Sequence, residues 1–254
     1  MAGSGTRLRA VSGCAPKGHL QGFDVAFADP DGGEVRGPLS EAGGVAFERV
    51  SPVRRFPSYR GQRSNPGFYY SETNGAHVPF ESWLERDEAM ALDFDGTVVG
   101  FAAQPLWLFW SDGERARSHA PDFFARMSDG RGVLIDCRPA ERIKPRDEAA
   151  FAATGRACEQ MGWGYRLVSG HDPVWLANVV WLAGYRHRRH RIEPTVSALL
   201  AAFTGPRPLI EGARSVGDPI AVLPALYHLL WSGELVVDLA VRLEGWSIVA
   251  GVGR

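Results

Sequence analysis

Two short strings gather groups that could do chemistry: HAPDFF at residues 119–124 and LIDCRP at residues 134–139. In an extended strand, residues two apart face the same side. Asp136 and Arg138 therefore share one face, while Ile135 and Cys137 point to the other. A hairpin centred near Gly130, in the turn SDGRG, sets Asp122 opposite Arg138 and Asp136 near Phe124. A register shift changes these pairs but keeps both acids near one end. Two carboxylates and a guanidinium in that position suit Mg²⁺, a hard octahedral ion that takes one or two carboxylates plus waters and phosphate oxygens. Such an ion polarises a phosphoryl oxygen and activates a water. The same residues suit a structural Asp–Arg pair at a strand end, with Asp122 following Pro121 in a turn.

Further groups extend the pattern. Glu85 lies in S-W-L-E on the segment ahead of the strands, and Gln104 in AAQP is a polar group on an earlier strand pointing toward the same place. His119, three residues before Asp122, is a contact for phosphate or metal shell, or an ordinary polar residue at a strand start. Glu81 and Glu88 flank Glu85 and read as solvent-facing. Lys144 in RIKP reads as a solvated loop residue that could reach back toward the site. Arg60 and Arg63 lie in an Arg/Tyr-rich segment, residues 54–70, which reads either as a track for a phosphate backbone or as a packed loop. Arg186, Arg188 and Arg189 belong to YRHRRHR, a second place for DNA contact, where cations also complement a helix C-terminus.

The elements that must position these groups are legible in outline. FDVAFADPDGGEVRGPL alternates around DPDGG, a hairpin signal. Residues 51–80 read as loop-rich. ESWLERDEAMALDF, residues 81–94, predicts a helix, with Leu84, Asp87, Ala91 and Phe94 on one side and Trp83 and Met90 beside it. DGTVVGFAAQPLWLFW predicts strands. After the hairpin, KPRDEAAFAATGRACEQMGW has helical spacing and GYRLVSG is a short strand. Residues 81–168 thus predict an αβββαβ order on one mixed sheet. A helix over 172–185 follows. IEPTVSALLAAF and DPIAVLPALYHLLWSG predict two more helices, the latter interrupted or started near Pro224. ELVVDLAVRLEGWSIV predicts two short strands, which gives the outline of a winged helix. The expected division is 1–50 as a β-rich extension, 51–191 as the site-bearing domain and 192–254 as the small C-terminal domain. The fold class is α/β in the broad sense, more narrowly α+β.

Composition bounds the rest. With 28 Lys and Arg against 29 Asp and Glu, any attraction for nucleic acid must be local rather than global. The three cysteines, Cys14, Cys137 and Cys158, are odd in number and lack metal spacing, which fits a reducing cytoplasm. The most apolar run, PVWLANVVWLAG, is shorter than the ~20 residues a membrane span needs. The expectation is a soluble cytoplasmic protein with no membrane partner.

The order helix acid, strand acid after proline, then acid-x-cation resembles the PD-(D/E)XK nuclease superfamily. The flanks PSYRGQRSNPGFYYSETNGAHVPFESWLERDEAMALDFDGTVVGFAAQP, HAPDFF and LIDCRP together resemble the TnsA-like heteromeric transposase endonuclease subunit of actinobacterial type, over roughly residues 50–190. The resemblance implies a restriction-endonuclease-like mixed sheet flanked by helices. It implies a nuclease that nicks the non-transferred strand of double-stranded DNA at transposon ends. Its partner would be a transposase subunit with an RNase H-like fold, and its C-terminal domain would dock an AAA+ ATPase regulator of transposition. The family's helix glutamate falls on Glu85, its metal-binding aspartate on Asp122 and its second metal-side acid on Asp136. The Cys137 backbone carbonyl would be a further metal ligand, with Mg²⁺ as cofactor and Mn²⁺ as substitute. Glu85 would reach the ion directly or through water. The family's lysine position holds Arg138, which stays protonated at neutral pH and so acts as a charge clamp, not a base.

Two other readings compete. One is a nuclease-fold assembly subunit that binds DNA and partner transposase without cutting, favoured by Arg138. The other is a free-standing restriction or repair nuclease, separable by its gene neighbours. Retention of Glu85, Asp122 and Asp136 favours the enzyme, because acids converging on one place repel and raise at least one pKa.

Overall fold

The computed structural model describes residues 9–10, 22–29, 32–54, 65–113 and 115–252. The chain forms two compact units. One comprises residues up to Glu88 together with Thr97–Gly170; the other comprises Ala89–Gly96 and His171–Arg254. The division falls at Gly170–His171, ahead of the expected boundary at 191. The expected boundary at residue 50 is bridged by strand pairing.

The first unit is built on two main sheets. Strands β1 (Arg9–Ala10), β2 (Asp24–Ala28) and β3 (Glu34–Pro38) begin the chain, and β4 (Gly67–Ser71) and β5 (Ala76–Phe80) form a hairpin of their own. Helix α1 (Trp83–Phe94) follows, with Trp83–Glu88 in this unit. Then come β6 (Val98–Ala103), β7 (Trp107–Asp112), β8 (Arg115–His119), β9 (Phe123–Met127), β10 (Gly132–Cys137), α2 (Pro145–Met161) and β11 (Gly164–Val168). One sheet has the order β11-β10-β9-β6. Its β10–β11 pair is parallel and its other pairs are antiparallel. The expected helix, strands, helix and strand on one mixed sheet appear as α1, β6, β9, β10, α2 and β11, but five strands rather than three separate the two helices. The β7–β8 hairpin is inserted between β6 and β9 and joins the other sheet, in the order β1-β3-β2-β7-β8. Because β2 pairs with β7, the β-rich segment before residue 50 is part of this unit.

A shared core lies between these layers. Phe47, Leu106, Leu108, Phe124, Leu134, Ala153 and Ala157 are all buried in one cluster. Gly132 is required there: a Cβ at that position would lie 2.5 Å from the Phe124 ring. Helix α2 ends at Gly162, whose φ of 66° supplies the left-handed cap that halts it.

The second unit contains α3 (Pro173–Ala183), α4 (Glu193–Ala202), β12 (Arg207–Pro208), α5 (Leu209–Val216), α6 (Pro219–Trp231), β13 (Leu235–Val237) and β14 (Ile248–Gly251). Its strands form a sheet in the order β12-β14-β13. Helix α6 starts at the Asp218 cap, and Pro224 lies inside it rather than at its start. Helix α5 and strand β12, which the sequence reading did not resolve, complete the order. Asn178 ties down the segment between the last two strands: its Nδ2 donates to the Leu239 and Val241 carbonyls and its Oδ1 accepts the Leu243 N–H. No helix among the described residues is long and apolar enough to cross a membrane.

Candidate functional site

The site lies at the end of the β9–β10 hairpin. Ile135 pairs with Phe123 and Gly132 with Arg126. Continued by one step, this register sets Asp136, not Arg138, across from Asp122, which corrects the expected pairing by two residues. The cause is the turn: Met127 N–H donates to Arg131 O and Gly130 N–H to Met127 O, with Gly130 at φ 87°. The hairpin is thereby centred one residue earlier than expected.

Asp122 follows Pro121 at the entry to β9. Its Oδ2 accepts the Cys137 backbone N–H at 2.7 Å, and its own carbonyl accepts the Gln104 N–H at 2.8 Å. Burial, then the Glu85 and Asp136 carboxylates, push the Asp122 carboxyl well above the usual range, while the Cys137 N–H and the Arg54 guanidinium oppose the rise. The expected mutual repulsion of the three acids thus appears at Asp122. Asp136 is 2% exposed on β10, and both its oxygens are engaged. His119 Nε2 lies 2.8 Å from Oδ1, and the Tyr165 hydroxyl donates to Oδ2 at 2.9 Å. Tyr165 reaches it because β11 runs parallel to β10, with Tyr165 paired to Leu134, two residues before Asp136 on the same face.

Glu85 sits in the first turn of α1, 8% exposed. Its carboxylate accepts the Glu81 N–H and the Ser82 hydroxyl, both at 2.8 Å, and Ser82 Oγ accepts the Glu85 N–H at 3.2 Å. S-W-L-E is thus also a helix start in which Ser and Glu satisfy free N–H groups reciprocally. Burial raises the Glu85 carboxyl, against these two hydrogen bonds. Other residues on the buried side of α1 are Glu88, Ala89, Leu92 and Asp93, while Trp83 is 53% exposed. This differs from the expected face of Leu84, Asp87, Ala91 and Phe94. Glu81 and Glu88 also depart from the expected solvent-facing positions. Glu81 binds Arg54 and Gln104, and Glu88 is buried and paired with Arg166. Arginines from distant segments supply the countercharge that lets this face carry acids inward.

Gln104 is buried just after β6. Its Oε1 accepts the Arg54 Nε–H at 2.9 Å and its Nε2 donates to Glu81 at 3.1 Å. It holds a φ of +44°, the one positive value at a non-glycine residue among those described. Gln104 therefore braces Arg54 and the Asp122 backbone.

A pocket of about 200 Å³ opens here, lined by Arg54, His119, Asp122, Asp136, Cys137 and Arg138 among others. Arg138 is exposed at its rim, as the i, i+2 spacing from Asp136 requires. Lys144 is exposed as the residue capping α2, does not line the pocket, and behaves as the loop lysine expected. Arg186, Arg188 and Arg189 belong to the second unit. Arg186 caps the end of α3 by donating to the Ala183 carbonyl. Arg60 and Arg63 lie outside the described residues. Sequence reasoning did not single out Arg54, Ser82 or Tyr165. The S-x-x-E spacing was a signal for Ser82; Arg54 and Tyr165 act across long sequence separations and left none.

The donor set is one of hard carboxylate oxygens. Among the described residues no three His, Cys, Asp or Glu side chains close into a metal-holding group. The chain matches no protein-family model, and no curated protein matches it.

Proposed function

We propose that this chain is a metal-dependent DNA endonuclease subunit of a heteromeric transposase, nicking the non-transferred strand at element ends. One observation carries the reading: Asp122 and Asp136 line one pocket at the end of the β9–β10 hairpin, and the Glu85 carboxylate adds like charge to the buried Asp122 carboxyl. Such convergence is costly in an apoprotein and is relieved by a cation. The αβββαβ order on a mixed sheet supports assignment of residues 81–168 to a PD-(D/E)XK, restriction-endonuclease-like core. The order α4, β12, α5, α6, β13, β14 supports a winged-helix-like reading of the C-terminal part, the surface we assign to an AAA+ regulator. The compartment that goes with this activity is the bacterial cytoplasm.

The residues fit Mg²⁺. Asp122 Oδ1 accepts no hydrogen bond among the described residues, and the pocket leaves room for water and phosphate. Held by Asp122, Asp136 and the Cys137 carbonyl, with Glu85 directly or through a water, Mg²⁺ or Mn²⁺ would supply polarisation of a phosphoryl oxygen and activation of water. The remaining work falls to the chain. Asp122 is fixed by Cys137 N–H, and Asp136 is oriented by His119 and Tyr165. Arg138, at the rim, binds a phosphate oxygen in bidentate fashion and stabilises charge developing on it, without taking a proton. In-line hydrolysis would leave 5′-phosphate and 3′-hydroxyl ends.

A second reading, the non-cutting assembly subunit, draws on two observations: both Asp136 oxygens are already engaged, and arginine stands where the resembling family has lysine. Nicking of transposon-end DNA by the full chain with its RNase H-like partner separates the two. The enzyme reading expects nicking by wild type and none by Asp122→Ala. Nicking by Arg138→Lys alone would favour the assembly role. Silence of all three in an assembled complex would refute the nuclease.

A further inference from the structure

A second concavity, of about 510 Å³, runs between β8 and α2 in the same unit and shares Ser118 and His119 with the acidic pocket. It is lined by Arg117 from β8 and by Arg146 and Arg156 from α2, with Asp112 and Asp147 beside them and the small Ala149, Ala150 and Ala152 between. Arg117 lies 3.4 Å from Asp112 and Arg146 3.5 Å from Asp147, and both arginines are widely open to solvent. Exposed pairs of this kind are weak and exchange readily for a phosphate. Arg156 is exposed and makes no hydrogen bond or ion pair among the described residues.

Arg146 and Arg156 stand ten residues apart on one helix, about 15 Å at 1.5 Å per residue, the axial run of about four nucleotides at 3.4 Å per step. An acidic pocket by itself repels a phosphate chain, and the whole protein carries a net charge of only −1. The attraction must come from a local basic surface that leads to the acids, and this groove adjoins them.

We propose that the groove between β8 and α2 is the track of one DNA strand, with Arg117, Arg146 and Arg156 taking phosphates along it and leading the strand past His119 into the acidic pocket. The proposal rests on the nuclease reading for its direction, but its test does not require cutting.

The full-length protein is titrated with a short fluorescein-labelled duplex in Ca²⁺, and anisotropy is followed over a series of salt concentrations. Arg117→Gln, Arg146→Gln and Arg156→Gln are combined, with Arg131→Gln, an exposed turn arginine, as control. The triple variant weakens binding roughly tenfold or more at every sequence tested, and the slope of log K against log salt drops by about 0.9 per lost contact. Arg131→Gln changes neither. Should the triple variant melt early, the three single variants are each expected to lower the slope by about 0.9. An unchanged slope overturns the proposal, as does a wild type without affinity for DNA. Loss of partner-transposase capture with DNA binding intact would make the groove a protein interface and also overturns it. Arginine-dependent binding by a wild type that never nicks in Mg²⁺ with its partner transposase assembled sustains the track and removes the nuclease reading instead.

Discussion

Asp122 accepts the backbone N–H of Cys137 through Oδ2 at 2.7 Å, which fixes the acid ahead of β9 to the residue immediately after Asp136. The β9–β10 register sets the two acids at one end of the sheet, and this hydrogen bond holds Asp122 there. The bond also partly offsets the burial and like charge that raise the Asp122 carboxyl. The consequences can be measured.

Asp122 has a folded-state pKa above its ordinary value of about 3.9. Its contribution to stability is therefore full below about pH 4 and is lost as pH rises through the folded value. The Asp122→Asn variant would keep an oxygen for Cys137 N–H but cannot ionise at this position. With a chelator present, urea unfolding should show the stability of wild type falling relative to Asp122→Asn as pH rises above about 4. Parallel stability curves for the two proteins would show that Asp122 is not strained.

Gln104 holds a positive φ and bonds both Arg54 and Glu81. Gln104→Ala loses both hydrogen bonds, about 1 kcal/mol each. Gln104→Gly loses the same bonds but is relieved of about 1 kcal/mol of backbone strain. Glycine should therefore be the milder substitution in chemical denaturation, the reverse of the order in a helix or strand. Alanine equal to or better than glycine would show that the backbone there is unstrained.

Asn178 is buried and satisfies two carbonyls and one N–H of the segment between β13 and β14. Asn178→Ala should destabilise the protein by about 2–3 kcal/mol. Asn178→Asp should cost more at neutral pH, because a carboxylate would face two carbonyl oxygens, and the excess should shrink in acid as that carboxyl protonates. Thermal melts of the two variants at two pH values provide the comparison.

Arg138 is assigned to a phosphate oxygen rather than to the proton. Arg138→Ala should lower nicking by roughly 100-fold while leaving metal affinity unchanged. Arg138→Lys should recover much of the loss. A fall in metal affinity in step with nicking would place Arg138 in the support of the acids instead.

The parts of the fold that rest on local pattern were legible. The helix expected over 81–94, found at Trp83–Phe94, and the helix and strand that follow the β9–β10 hairpin come from spacing and turn residues. What depends on distant partners was not. Glu81, just ahead of α1, and Glu88 on it read as solvent-facing because nothing local indicates that Arg54 and Arg166 will pair with them. The β4–β5 hairpin was hidden in a segment that reads as loop, although T-N-G marks its turn and Gly75 takes φ 62°. The two-residue error in the Asp122 pairing came from placing the turn centre at Gly130, one residue late. The acids of the candidate site were visible in the sequence. The groups that hold them, Tyr165 on Asp136 and Gln104 beneath Asp122, required the fold.

The central claim is that Glu85, Asp122 and Asp136 make one hard-cation site. Electron paramagnetic resonance of Mn²⁺ titrated into the full-length protein tests it most directly, with Asp122→Asn beside wild type. The account predicts an ion bound by wild type, displaced by excess Mg²⁺ and lost in Asp122→Asn. Free Mn²⁺ throughout the wild-type titration, or equal binding by both proteins, would contradict it.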